Sequence, residues 1–423
     1  MRWGGGIGFR GGLWRNRDFR LYWQASTVSA VGTAVTRLAL PLVATLTLDA
    51  SPFAIGLIVF AEEAPLLILG LPAGVWVDRH RRLPLMLWTD LLRAVVLLVV
   101  PVAYWLDLLS VPLLVGVALG IGTLSVIFEI AAQAMISTLL PPRDYVEGNS
   151  KRYAGEAAAT VAGPSLGGAA AQIAGPAVAL LVDAGSYLYS FVCLRRMGFV
   201  EPPLAVGEPE SMLRAVRTGL TEIGRNPYLR PVTLATGCLT FLSGIGWAML
   251  VPFASRTLGL GSATIGLALS VTGVGALLGA LLAGRVVARL GLGPALLAGL
   301  AATAPGLLIV GLAGGGESLA GALFASGLFL AAATSPVFDI NQFSLRQAVT
   351  PEPLRGRVVA ATRVAIRGCA ALGALAGGIV AGTAGLRVAV LVAAVAPLVP
   401  LLILWRSPAF ALRSMPERPG VDA

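Results

Sequence analysis

The chain has 423 residues, 57% of them hydrophobic and only 12% charged, with a mean hydropathy of +0.84. A soluble domain carries about 25% charged residues, so a soluble globular enzyme is excluded. The 52 glycines and 27 prolines sit inside apolar runs, as membrane helices tolerate, which excludes a disordered chain. A net charge of +10 would suit nucleic acid, but its placement, read below, excludes that partner and points to a lipid bilayer.

A bilayer core needs about 20 apolar residues per helix. Residues 1–19 are basic and Gly-rich and lack the apolar stretch of a signal peptide, so they are expected to form a cytoplasmic arm. Apolar runs near 20–46, 53–77, 84–106, 111–139, 152–173 and 177–196 predict an N-terminal six-helix bundle over 20–196. The polar stretch 197–228 reads as a cytoplasmic linker. Within it Met212, Leu213, Val216, Leu220 and Ile223 recur at helical spacing, with Arg214, Arg217 and Arg225 between them. This predicts an amphipathic helix, either lying on the leaflet or packed on neighbouring loops. Runs near 229–254, 261–285, 294–313, 318–345, 356–384 and 387–406 predict a C-terminal six-helix bundle over 229–406, followed by a cytoplasmic tail at 407–423. The expected fold is an all-α membrane protein with 12 transmembrane helices in two bundles. The spans at 20–46, 111–139, 318–345 and 356–384 exceed the bilayer core, so tilt or extra turns are expected.

Basic residues alternate sharply from loop to loop, with Arg256 and Arg387 alone at the outer edges. That is the positive-inside pattern, which places both termini in the cytoplasm and the chain in the cytoplasmic (inner) membrane. Lys151 is the single lysine, and the residues before it form no phosphate-gripping loop, so ATP-driven pumping by this chain is not expected. His80 lies in an Arg-rich loop and reads as solvated. Cys193, Cys238 and Cys369 fall in three separate apolar segments without metal-ligand spacing. No cofactor, metal site or catalytic constellation is expected, and the chain does not read as an enzyme.

The halves echo each other at an offset of 210: Gly74 meets Gly284, Val77 meets Val287, Arg79 meets Arg289 and Pro84 meets Pro294. Both segments join the second and third spans of their half. Such repeats are how transporters build two bundles that rock about a midplane site.

The segment Gly74-Val75-Trp76-Val77-Asp78-Arg79-His80-Arg81-Arg82 resembles the loop signature of the major facilitator superfamily, with Gly74, Asp78, Arg79 and Arg82 matching and Arg81 in place of the second glycine. Gly163-Pro164-Ser165-Leu166-Gly167-Gly168 in the fifth span resembles the core of that family's antiporter motif. Longer strings, among them Phe128–Gln133 and Leu345–Val358, resemble the bacterial branch of macrolide and enterobactin exporters. The resemblance implies the major facilitator fold and efflux by alternating access. It also implies that Asp78 faces the start of the eleventh span at Gly356-Arg357. A carboxylate there would meet a helix N-terminus and an arginine, a breakable cytoplasmic latch. A topology anchor is the plainer reading, though Asp adds nothing to a positive-inside signal. The kinked, close-packed helix expected from Gly163, Pro164, Gly167 and Gly168 is also common in membrane helices for packing alone.

Charges inside spans need a use, since each costs about 2.5–3.5 kcal/mol to insert. Arg37 in the first span and Glu62 in the second lie equally far from their outer ends, so an ion pair at one depth is natural. Glu63 points about 100° from Glu62, so Arg37 satisfies one of the two. The other is then either a proton-coupling group facing a cavity or a lipid-shielded structural acid. Glu129 and Gln133 share a face of the fourth span and either touch substrate or bond a neighbouring helix. Asp183 in the sixth span is ambiguous, and so are Asp339 and Asn341 in the tenth, which are nonetheless counted among the candidate proton-coupling and substrate-cavity residues. Asp90 with Arg93 reads as a local pair, Arg363 and Arg367 as candidates for the cytoplasmic gate, and Arg346, Arg355 and Arg357 as inside charge. The expected function is proton-coupled efflux of a small amphipathic compound such as a drug, antibiotic or siderophore. Proton-coupled uptake is the alternative within transport, and a non-transporting receptor the alternative outside it.

Overall fold

The computed structural model describes residues 12–201 and 212–416, and every regular element among them is helical. Helix α1 (Arg17–Leu42) begins where the Asn16 side chain accepts the Phe19 N–H at 3.1 Å, satisfying one orphan donor of the first turn. Helix α2 (Pro52–Asp78) is capped by Ser51 and opens on Pro52, at a position that needs no N–H. Helices α3 (Arg82–Trp105), α4 (Val111–Leu139), α5 (Tyr145–Ala174) and α6 (Pro176–Arg195) complete the first bundle. After α7 (Met212–Arg225), the second bundle holds α8 (Leu229–Pro252), α9 (Ser262–Leu290), α10 (Leu292–Leu312), α11 (Glu317–Val349) and α12 (Arg355–Ala384). Its last span is two pieces, α13 (Leu386–Val395) and α14 (Leu398–Trp405). The break falls at Pro397, which has no N–H to continue the ladder.

Eleven helices among the described residues are long and apolar enough to cross a bilayer. The remaining one, α5, has the length, but Glu147, Lys151, Arg152 and Glu156 and its many Ala and Gly residues dilute its hydropathy. It is packed between α1 and α9, so lipid exposure is not what it needs. Twelve crossings in two six-helix bundles result, with the basic loops on one face, here called the basic face.

The 210-residue repeat extends to the backbone. Helices α1 and α8 both run into a π-turn, Val43–Thr47 and Phe253–Thr257. The same bond follows in each, from Ala50 N–H to the Ala44 carbonyl and from Leu260 N–H to the Ala254 carbonyl. Helices α5 and α12 each follow a short 3-10 turn and end at a left-handed glycine, Gly175 and Gly385.

Core packing divides the molecule by depth. In the half away from the basic face, one apolar core runs through both bundles, joining Leu38, Ile55 and Ile121 to Met249, Ile265 and Phe324. Towards the basic face it splits. Phe19, Met86, Phe128 and Met135 form one core, and Leu229, Leu292, Phe338 and Val358 form another. Between these two separate cores the bundles stand apart.

Two basic-face elements are docked rather than free. Ile223 of α7 is buried in the second bundle's core, and a Cβ on Gly219 would come within 2.4 Å of the Arg357 carbonyl oxygen. Of the two readings of the amphipathic helix, packing on α12 therefore describes this part of it; the side chains of 212–216 lie outside the described residues. The turn Gly12–Arg15 is held by the Glu147 carboxylate, which accepts the Leu13 N–H at 3.1 Å and meets Lys151 at 3.0 Å. The Leu13 bond, reinforced by Lys151, holds the Glu147 carboxyl below the usual carboxylate range. A depressed carboxylate stabilises the docked state above its free value of 4.5, and that contribution is lost as pH falls through the lowered folded value. Protection of the Leu13 amide from hydrogen exchange, taken relative to the intrinsic rate at each pH, should therefore be high at neutral pH and fall on acidification, and Glu147→Gln should show the low protection at neutral pH.

Candidate functional site

The gap between the two separate cores is a cavity of about 760 Å³, walled by α1, α4 and α5 on one side and α11 and α12 on the other. It runs from Thr350 and Arg355 at the basic face to Arg37 and Arg367 near the middle of the bundles. Beyond them the shared core closes it.

The two adjacent glutamates of α2 are not among the residues that line the cavity; each instead contacts an arginine that is. Glu62 Oε1 lies 3.8 Å from Arg37 Nε within the first bundle. Glu63 Oε2 accepts from Arg367 Nη1 at 3.3 Å, across the bundle boundary. Each glutamate thus meets its own arginine, where the sequence suggested a second glutamate without one. Glu129 and Gln133 both stand exposed in the α4 wall. Glu156, in the α5 wall, takes Arg152 of its own helix.

Other intramembrane charges are consumed inside the first bundle. Asp183 is fully buried and accepts from Thr36 Oγ1 at 2.5 Å and Ser186 Oγ at 2.9 Å. Asp90 takes Arg93 and the Ser190 hydroxyl, while the Arg93 guanidinium lies over the rings of Phe128 and Tyr187 at 4.0 and 4.2 Å. This ladder ties α1, α3 and α6 together. Its sequence signal was the set of small hydroxyls, Ser186 and Ser190, spaced along α6 from Asp183.

Three expectations are corrected. Asp339 and Asn341 do not belong to the cavity wall: Asn341 is buried and donates to its own helix at the Val337 carbonyl, and α11 presents Gln342, Phe343, Arg346 and Gln347 instead. The reason is helical phase, since one residue turns a side chain by about 100°. Arg346 is no surface charge; it is only 7% exposed, lines the cavity and donates to Thr236 Oγ1 at 2.9 Å. Arg363 and Arg367 sit inside the cavity rather than at its rim.

Around the signature loop, Gly74 lies in the last turns of α2, Arg79 caps that helix and is exposed, and Arg82 opens α3. Arg82 is bound by Glu201, whose carboxylate accepts the Arg82 and Leu83 N–H groups at 2.8 and 3.2 Å and meets the guanidinium at 3.4 Å. Sequence reasoning missed Glu201, which follows the sixth span in a loop. Gly356 and Arg357 form the first turn of α12; the Asp78 side chain lies outside the described residues.

The glycines of α5 have two different neighbours. Gly163 and Gly167 face α1, at Ala34 and Val35. Gly168 faces the other bundle, where it crosses Gly266 of α9 so closely that a Cβ on either would come within 2.9 Å of the other's Cα. The repeat-related crossing joins Gly56 of α2 to Gly378 of α12. Helix α5 runs unbroken through Pro164. Together with Arg256, whose guanidinium donates to the carbonyls of Thr45 and Ala50 and to Asp49, these crossings close the face opposite the basic loops.

Comparison with known proteins agrees with this architecture. A bacterial homologue of the iron transporter ferroportin, solved in its inward-facing state, superposes with a TM-score of 0.75 at 18% identity, over 94% of this chain and 99% of that one. A bacterial homologue of the human lysosomal transporter Spinster, inward-facing and unoccupied, gives 0.73 at 17% identity, over 95% and 98%. An uncharacterized MFS-type transporter of Bacillus subtilis, YfiS, is 26% identical over 397 residues, covering 90% of this chain and 91% of the relative. Residues 13–419 match the family described as transmembrane secretion effector. With nearly the whole length accounted for, the chain belongs to that family of major facilitator membrane transporters.

Proposed function

We propose that this transporter works by alternating access to export a small amphipathic compound across the cytoplasmic membrane against proton entry. The observation that carries the reading is the cavity closed by a continuous core on one side and open between two separate cores on the other. With the basic face in the cytoplasm, as the distribution of arginines argues, this is the inward-facing, loading state. Export is further supported by the family's description as a secretion effector and by the resemblance to macrolide and enterobactin exporters.

In this reading Glu62, Glu63 and Glu129 are the coupling carboxylates, and Arg37 and Arg367 compete with protons for the first two. Proton arrival at Glu63 would release Arg367 and with it a bond between the bundles, which links protonation to rocking. Gln133 shares the Glu129 face. Asp78 with Gly356 and Arg357 would latch the cytoplasmic side in the opposite state. Asp339 and Asn341 have no role in this scheme, given where their helix turns them.

The test is transport in proteoliposomes under an imposed pH gradient, with glutamine at each of the three glutamates. A coupling residue should lose gradient-driven accumulation to the level of protein-free vesicles while keeping substrate counterflow. Normal proton release and uphill transport in all three variants would remove the assignment.

A further inference from the structure

The charge of the cavity is not evenly balanced once each ion pair is set aside. On the α1–α5 side the arginines are matched: Arg37 by Glu62, Arg93 by Asp90 and Arg152 by Glu156. On the α11–α12 side Arg355 has Glu352 at 3.8 Å and Arg367 has Glu63. Arg346 and Arg363 remain, and among the described residues no carboxylate lies within 4 Å of either.

Arg346 is the telling one. Its guanidinium is buried, its Nη2 donates to the neutral hydroxyl of Thr236, and its Nε has no hydrogen-bond acceptor. Thr236 in turn donates to the Val232 carbonyl, so the one hydrogen-bond partner of the Arg346 guanidinium among the described residues is neutral. Asp339, two helical turns earlier on the same face, acts on Arg346 through space but makes no ion pair with it within 4 Å. Positive-inside statistics explain arginines in loops, not a desolvated guanidinium opening onto a cavity. Such a group is costly until an anion arrives, and its planar donor fork is shaped for carboxylate, sulfonate or phosphate. Among the polar residues of this wall, Phe343, Val358, Val359 and Ile366 supply apolar surface.

We infer that the cavity takes amphipathic organic anions, the acid group bound by Arg346 with Arg363 and the apolar body laid along α11 and α12. This rests on the cavity being the substrate site, as proposed above. Glu129, on the opposite wall, is left to the proton.

The test is a binding measurement that needs no transport. Thermal unfolding of the full chain in neutral phosphatidylcholine nanodiscs is followed with 1-pyrenebutyrate and with its cationic counterpart, pyrenebutyl-trimethylammonium. The anion should raise the midpoint, the cation should not, and R363Q and R346Q should each abolish the rise. R363Q carries the test if R346Q fails to fold, because Arg363 is exposed. A larger rise with the cation, no rise with the anion, or a rise that survives R363Q would overturn the inference. Discs containing phosphatidylglycerol separate the sources: loss of the anion's effect there identifies a lipid headgroup as occupant, and its persistence a soluble anion, both with the same chemistry. Anion binding without uphill transport would count against the export reading alone.

Discussion

Replacing Gly266 with valine is expected to keep the face opposite the basic loops from closing and so, in the proposed cycle, to empty the inward-facing state. A Cβ at this position would come within 2.3 Å of the Pro164 carbonyl oxygen and 2.9 Å of the Gly168 Cα, both backbone atoms of the other bundle. Neither can swing aside as a side chain would. The crossing is also pinned, since Ser270 accepts the Ser165 N–H at 2.9 Å and meets its hydroxyl at 2.5 Å. Overpacking of this kind costs about 1–3 kcal/mol, and if rocking of the bundles parts this crossing, as the proposed alternating access requires, the two states shift by about 5–150-fold. The readout is labelling of a cysteine at Thr33, in the cavity wall, by a membrane-impermeant maleimide added outside, with the native cysteines replaced by alanine. G266V should label much faster than the parent and G266A less so. G116A, at a glycine with open space around it, should not change the rate. Equal labelling of G266V and parent would mean that the seal lies elsewhere.

The position of that crossing was readable in part. An offset of 210 was visible in the loop after the second span, and the same offset relates Gly168 to Gly378 and Gly266 to Gly56, the four glycines of the two crossings. Spans were legible because a bilayer imposes a length and a hydropathy on each one. The pair Arg37–Glu62 was legible because antiparallel neighbours with equal rise share depth. Glu63–Arg367 was not, since 304 residues separate the two and nothing local marks them. On α11, knowing that the span faces the cavity did not say which residue of each turn does so, and Asp339 was taken where Gln342 and Arg346 stand. Arg346 was misread for a second reason: its place near a span end fits loop charge, and its burial depends on Thr236 from another helix.

Arg256 sits on the face opposite the basic loops, and its variants should rank by how many acceptors they lose. Its guanidinium donates to the Ala50 carbonyl at 2.9 Å, the Thr45 carbonyl at 3.0 Å and Asp49 Oδ1 at 2.7 Å, all on the link between α1 and α2. Asp49 is 94% exposed while Arg256 is 25% exposed, so the carboxylate contact is screened and worth about 0–1 kcal/mol. The carbonyl bonds, made by a charged donor, carry more: such a bond contributes about 1.5–3 kcal/mol net, and with water free to reach both carbonyls in the alanine variant a loss of about one such bond is expected. Asp49 has φ +44, and its repeat equivalent is Gly259 at φ +68. The turn therefore asks for a left-handed residue, and the second half fills it with the type that adopts that conformation most cheaply. Aspartate in the first half accepts some strain in return for a charge facing Arg256. R256A should thus shift the inward-facing population by about 10–100-fold, read as faster outside labelling at Thr33. D49N should shift it by no more than about fivefold. R256K should fall between, because an ammonium cannot span two carbonyls and a carboxylate as a planar fork does. Raising salt should erase the D49N effect and leave most of the R256A effect, since screening acts on the exposed charge and not on the carbonyl bonds. Equal shifts for R256A and D49N would mean that the ion pair, and not the backbone clasp, holds that face shut.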